Sequence, residues 1–568
     1  MPASPGVSLA TSRWPFRAVA LTLICLFVGG VALAGCGGSS HPKRTTTQTK
    51  PPASTGTTTS TTTSRPAAAR GIVTFTYVQD QDTYQQSYSR VTIYDLRRSG
   101  PYLTLDFGAK CLTSSGCTGV FFNMNSGNHG GVPNETPGDI SLVDPTNKLE
   151  YLPVTDAQGN EFSSKDWTTA SNTAPIYLMW VRFPAPPASV TSLDVLFTGG
   201  GPEVPNVPIT TAASGPTPAQ VGGGAMQIPP NQFAQPASST TTTGLNLEVH
   251  KLQLAVGNPA GNDAESPGHS TLTLSADVLF RFNKSNLTQK AQSVLSQIAT
   301  RIKSGATGTV SVGGYTDSIG TAQYNLGLSQ RRAQSVVNFL KPATAGTPVT
   351  YSSQGFGESD PVAPNTLPSG ADNPAGRALN RRVTISYDVK APVTPSPPVA
   401  AAAPSAPSTA AASRSVKFTI NSGGSTGTYL ATVDSLFRDG DMLVLRFSTK
   451  CLSETGSAIG CDAIIALGGD TEIPPYPDYK SQGANAAYRT VAGIYLQDPT
   501  GSDYIPAYTV GQKNPLSVQT NQYIGSVPFP LWAYYPAPPA SVTAMTVVFP
   551  TGAKVPDVPI SDSAPALQ

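Results

Sequence analysis

Hydrophobic positions change period twice along the chain. Leu103, Leu105 and Phe107 alternate with Thr104 and Asp106, and Leu443, Leu445 and Phe447 alternate with Val444 and Arg446. Leu193, Val195 and Phe197 do the same around Asp194 and Leu196. A period of two marks strands, and turn-rich spacers divide these runs without leaving room for an amphipathic helix. From Ser270 the pattern switches. Val278–Phe282 reads as a strand, and Leu287, Ala291, Val294, Leu295, Ile298 and Ile302 form one helical face. Thr309–Val312 reads as a second strand. Tyr324–Lys341 reads as a helix with Leu328, Val336, Val337 and Leu340 inward, ended by Pro342. Val349–Ser353 and Val383–Tyr387 complete a βαβαββ-type α/β sandwich.

The two alternating regions are copies of each other. Leu103–Leu112 reappears as Leu443–Leu452, Trp180–Thr191 as Trp532–Thr543, and Val204–Ile209 as Val555–Ile560. Asp144-Pro145-Thr146 and Asp498-Pro499-Thr500 fall between, in the same order. A chain of 568 residues needs more than one core. The expected layout is therefore two homologous all-β domains, 70–210 and 414–562, flanking an α/β domain at 245–390. Residues 211–244 (Pro/Gly/Ser/Thr) and 391–413 (Pro/Ala) read as linkers. The β-repeats resemble immunoglobulin-like sandwiches.

The first residues change the picture of where this chain works. Arg13 and Arg17 precede an apolar run from Ala18 to Ala34, which ends in Leu33-Ala34-Gly35-Cys36. The run is shorter than the roughly 20 residues a spanning helix needs. It resembles a bacterial lipoprotein signal, residues 1–36, which implies a diacylglyceryl group on Cys36 and a membrane contact through that lipid. Residues 37–69 are Ser, Thr, Pro and Lys with almost nothing to bury, and read as a disordered tether. Outside the cytoplasm, Cys111 with Cys117 and Cys451 with Cys461 are expected as two short-loop disulfides. A zinc site from all four would have to bring together two pairs far apart in the chain.

The central domain carries the chemistry. Gly314-Tyr-Thr-Asp317, Asn325, Leu328-Ser329, Arg332-Ala333, Gly355-Phe-Gly357, Pro361 and Gly376-Arg-Ala-Leu-Asn380-Arg381-Arg382-Val383 occur in order. Together they resemble the OmpA C-terminal-like peptidoglycan-binding family. The resemblance implies that Asp317 and Arg332 grip the amino acid end of meso-diaminopimelate in a peptidoglycan stem peptide. An arginine matches a carboxylate with two parallel N–H bonds, and an aspartate accepts from an ammonium. By the same resemblance Thr316 and Asn325 line the pocket, Arg381 orients it, and Phe282 and Asn283 border it. Arg331 and Arg382 are expected as solvated neighbours. Tyr315 stands where the family often has histidine.

Other chemistry finds little footing. The four histidines, His41, His129, His250 and His269, form no ligand or triad spacing, so no metal, cofactor or catalytic residue is expected. A net charge of +2 with 12% charged residues gives no reason to expect nucleic acid. Trp532, Tyr534 and Tyr535 read as core packing in preference to a sugar platform. The sequence thus points to a cell-envelope, membrane-anchored protein that binds peptidoglycan and is not an enzyme. The alternative is an adhesin whose β-repeats bind a protein or glycan partner.

Overall fold

A computed structural model describes residues 71–567 except 81–85, 119–139, 165–168, 198–199, 231–243, 259, 368, 391–413, 423–424, 456–490, 492, 511–514 and 518–524. The stretches expected to be a signal with its lipobox (1–36), a tether (37–69) and a linker (391–413) lie outside the described residues, as do His41, His129 and Cys461.

The first repeat builds two antiparallel sheets. Strands β1 (Val73–Asp80), β2 (Gln86–Ser99), β3 (Tyr102–Cys111) and β6 (Tyr177–Pro184) pair in the order β1–β2–β3–β6. Strands β4 (Ser141–Asp144), β5 (Leu149–Tyr151), β7 (Ser192–Leu196) and β8 (Glu203–Thr210) pair as β5–β4–β7–β8. Leu103, Leu105 and Phe107 are buried, but so are Thr104 and Asp106. Both faces of β3 are covered because part of the expected linker folds back. A Cβ on Gly215 would lie 2.4 Å from Asp106 Oδ1, Met226–Gln227 pairs in parallel with β6, and Ile228 is buried. Cys111 and Cys117 form a disulfide. Replacing both with serine is expected to cost roughly 2 kcal/mol, from loop entropy alone. Thermal unfolding with and without reductant measures it; an unchanged midpoint would contradict the estimate.

A long strand then leaves the repeat. β9 (Val249–Asn258) pairs at its start with β5 and at its end with β10 (Gly261–Ser266), which pairs with β11 (His269–Ser275). The α/β domain continues with α1 (Ala276–Leu279), α2 (Gln289–Gly305), β12 (Ala306–Tyr315), α3 (Ala322–Ala343), β13 (Thr350–Gly357), α4 (Pro374–Asn380) and β14 (Arg382–Val389). The sheet order is β11–β14–β12–β13, with only the last pair parallel. Two expectations fail here. Val278–Phe282 is not a strand: Ser275 caps α1, and β11 is the strand that pairs with β14 instead. Pro342 does not end α3 but sits in its last turn. The apolar face foreseen for α2 is buried as drawn, from Ala291 to Ile302, with Thr288 accepting from Ala291 N at the cap.

The second repeat comprises β15 (Ser415–Ser422), β16 (Ser425–Asp439), β17 (Met442–Thr455), β18 (Tyr495–Gln497), β19 (Asp503–Thr509), β20 (Phe529–Pro536), β21 (Ala544–Val548) and β22 (Lys554–Pro559). Its orders, β15–β16–β17–β20 and β19–β18–β21–β22, match the first repeat strand for strand. Details repeat too. Arg98 donates to the carbonyls of Pro186, Pro187 and Val190, and Arg438 to those of Pro538, Pro539 and Val542. The recurring Pro-Ala-Pro-Pro-Ala-Ser-Val run is thus a turn whose carbonyls one arginine collects. Asn206 and Asp557, at matching places, both take left-handed φ (56° and 53°), which their short polar side chains tolerate. Trp532, Tyr534 and Tyr535 are core residues.

One difference between the copies joins them. In the first, Asp106 is bonded by Arg97 Nε at 2.7 Å. The matching pair in the second is Arg446 and Phe437, with the guanidinium over the ring. Arg446 instead pairs with Glu203 of the first repeat. Trp532 Nε1 donates to Gly201 O at 2.9 Å, and Tyr534 Oη to Asp194 Oδ2 at 2.8 Å, across the same boundary. β9 also pairs with β19. Its Leu252, Leu254 and Val256 share one core with Phe447, Leu531 and Tyr534.

These buried acids set a pH dependence. Burial, opposed by Arg446, pushes the Glu203 carboxyl up to about 7, and burial, opposed by Arg97, pushes Asp106 up to about 6. The folded chain therefore holds protons that the unfolded chain, with ordinary carboxyls, has released. Their contribution to folding is full below the ordinary carboxyl range, at about pH 4 and under, and is lost as pH rises through 6 and 7. Between pH 5 and pH 8 the loss is on the order of 2 kcal/mol per group. Denaturation midpoints should fall over that window; a rise would contradict the assignment.

Candidate functional site

The site lies at one end of the α/β sheet, where β12 and β13 meet the start of α3. The approach is close: a Cβ on Gly314 would fall 2.2 Å from Ser329 O, and one on Gly355 2.4 Å from Gln330 N. That contact explains the glycines in the two strand-end motifs. It is sealed by Gly357 N donating to Ser329 Oγ at 2.9 Å and by Thr316 N donating to Gly357 O at 2.8 Å. Thr321 caps α3 by accepting from Tyr324 N.

With α3 so placed, polar residues on its inner face are buried. Asn325 is 2% exposed and Arg332 4%, while Asp317 on the loop after β12 is 8% exposed. Asn325 Nδ2 donates to Glu358 Oε2 at 2.6 Å and to Asp317 O at 3.3 Å. Thr316 Oγ1 is buried without a hydrogen-bond partner among the described residues. Phe282 is 86% exposed beside Asn283, which adopts a left-handed φ of 56°. The turn they begin brings Lys284 O within 3.1 Å of Arg332 Nε.

Asp317 is held by arginines other than Arg332. Arg381 Nη1 donates to Asp317 Oδ2 at 2.7 Å, while its Nε and Nη2 hold Asp277 at 3.0 and 2.6 Å. These bonds raise the Arg381 pKa, Asp277 first. Arg377 Nε stands 3.8 Å from Asp317 Oδ2 and also pairs with Asp372. Asp317 Oδ1 accepts from Ile319 N at 3.1 Å. Arg332 instead lies over the Phe280 ring, 5.2 Å from its centroid. Burial lowers its pKa first, and the charges of Asp277 and Asp317 work against that. Its two Nη groups make no hydrogen bond to another described residue.

Asp277, Arg377, Asp372, Glu358 and Phe280 belong to this arrangement although the sequence reading passed over them. Arg377 stands inside the Gly376–Val383 run quoted above, the one signal that could have found it. One expectation is corrected. Arg382 is not a solvated neighbour: it is 4% exposed, packs 3.7 Å over the Tyr315 ring and bonds Asp360 at 3.2 Å. Tyr315 in turn stacks on Phe356, with centroids 4.8 Å apart. Arg331 is exposed as expected. Among the described residues no group of three His, Cys, Asp or Glu side chains is placed to hold a metal, and no helix is long and apolar enough to cross a membrane.

Residues 279–374 match the model of the OmpA family. The chain carries an OmpA-family domain. It is 44% identical over 125 residues to outer membrane protein A of Klebsiella aerogenes, covering 20% of this chain and 34% of that one. It is 47% identical over 97 residues to outer membrane protein A of Escherichia fergusonii, covering 16% and 39%. The solved peptidoglycan-associated lipoprotein of Burkholderia pseudomallei shares 30% identity over 19% of this chain and 87% of that one, at a TM-score of 0.17. The chain spans about a third of the length of the curated relatives it matches.

Proposed function

We propose that this protein binds peptidoglycan non-covalently through its OmpA-family domain, taking the free amino acid end of a meso-diaminopimelate stem peptide between Asp317 and Arg332. The observation that carries the reading is the paired arrangement at the end of β12 and on α3. A nearly buried carboxylate and a nearly buried guanidinium, near enough for the Asp317 charge to act on Arg332, form no hydrogen bond or ion pair with each other among the described residues. A zwitterion answers both: its carboxylate takes the Arg332 Nη edge and its ammonium the remaining Asp317 lone pairs. Arg381 is a positioning residue that orients Asp317 from Asp277. Thr316 and Asn325 line the pocket, and Phe282 and Asn283 form its rim.

The wider proposal places a lipid on Cys36 and makes the chain a link between a membrane and the wall, with immunoglobulin-like β-repeats as its bulk. The activity is binding, not catalysis. Co-sedimentation of the full chain with diaminopimelate-type and lysine-type sacculi tests the core of it. Lysine stem peptides lack the second amino acid end, so retention on the first and not on the second is expected. Equal retention on both would overturn the diaminopimelate reading, and retention on neither would overturn peptidoglycan binding.

A further inference from the structure

The boundary between the two repeats brings two acids face to face. Asp194, on β7 of the first repeat, is 1% exposed, and Asp439, at the end of β16 in the second, is 6% exposed. Tyr534 Oη of β20 donates to Asp194 Oδ2 at 2.8 Å, and Asn206 N of β8 donates to Asp194 Oδ1 at 2.9 Å. The Asn206 side chain bonds Asp439. The two carboxyls are also hydrogen-bonded to each other across the boundary. An ionised carboxylate only accepts, so that bond exists only while one of the two keeps a proton.

The duplication singles these positions out. Ser99 stands in the first copy where the second has Asp439, and Arg182 where the second has Tyr534. Thr546 stands in the second copy where the first has Asp194. Each acid thus occurs in one copy only, at the boundary with the other. The charges around the pair do not replace the proton. Arg446 of β17 acts on Asp439 but pairs with Glu203, and the Glu203 carboxyl of β8 in turn acts on Tyr534 and is raised by Asp439. Asp439 Oδ2 is buried without a hydrogen-bond partner among the described residues. Burial holds the Asp194 carboxyl well above the usual carboxylate range, and the Asp439 charge adds to this; burial raises Asp439 as well. Two like charges in contact and away from water repel, so the pair titrates as a unit that keeps one proton.

We propose that this shared proton locks the two repeats together, and that their joint loosens when it is lost. The device is independent of the peptidoglycan reading. A closed joint holds a proton that an open one, with ordinary carboxyls, releases above about pH 4. The closed state is therefore favoured in acid, and opening rises about tenfold per pH unit on account of this one proton.

Hydrogen exchange of the full chain, read by mass spectrometry from about pH 5 to 7 and corrected for intrinsic rates, tests it. In Asp439→Asn an amide N–H takes the proton's place, and Asp194 is left ionised. Opening of the segments around Asp194 and residue 439 should rise more steeply with pH in the wild type than in the variant, by about tenfold per pH unit. Helix α2 should exchange alike in both. Asp194→Asn supplies the same N–H from the other side and should flatten the dependence equally, so it serves where Asp439→Asn does not fold. Equal steepness in the wild type and a folded variant would overturn the proposal, since no proton is then shared. A difference as large in α2 as at the boundary would also overturn it, because unfolding of the whole chain, not a joint, then carries the proton.

Discussion

Asp317→Ala and Arg332→Ala should each lower retention of the full chain on diaminopimelate-type sacculi by about ten- to a hundredfold, the worth of one charge-assisted bond. The two arise differently. Removing Asp317 takes away the acceptor for an ammonium and releases Arg381, which keeps Asp277; the domain should remain folded. Removing Arg332 takes away the carboxylate fork and uncovers the Phe280 ring. Arg332→Lys should recover little, because an ammonium cannot reproduce the planar edge. Dichroism of each variant separates lost binding from lost fold. Folded variants with undiminished retention would show that the chain holds the wall by other residues.

The second large effect is on stability. Trp532→Ala is expected to destabilise the chain by about 3–5 kcal/mol. The indole is 2% exposed, sits edge-on to Tyr534 and donates to Gly201 O in the other repeat. The substitution thus opens a hole and strands a carbonyl at the boundary between copies. Trp180, its counterpart in the first repeat, is only half-buried, and Trp180→Ala should cost clearly less. Urea denaturation of both variants decides; equal costs would contradict the account of how the repeats are joined.

The α/β domain was legible because its signals are local. Helix α2 advertises its inner face every three to four residues. The motifs around Asp317, Arg332 and Asn325 are contiguous runs whose glycines answer to one close helix approach. Where the sequence misled, the cause was competition between nearby signals. Val278–Phe282 has strand-like residues, yet Ser275 caps a helical turn there, and Phe280 is used as a platform for Arg332. Asp277 and Arg381 were unreadable as partners, since single charges far apart in the chain look like any solvated pair. The same holds for Arg446 and Glu203. The duplication was plain, but its meaning at Asp106 and Arg446 was not, because a charge reversal shows its purpose only when the opposing surface is known. The fold-back of residues 211–230 was missed because Gly- and Pro-rich composition speaks for turns and says nothing of what a turn rests on.

Titration of a purified diaminopimelate-containing muropeptide into the full chain, followed by calorimetry, measures the central claim most directly. Saturable binding at one site per chain, lost in Arg332→Ala and absent for the lysine-containing muropeptide, is the predicted result. Binding that survives Arg332→Ala, or that is the same for both muropeptides, would contradict it.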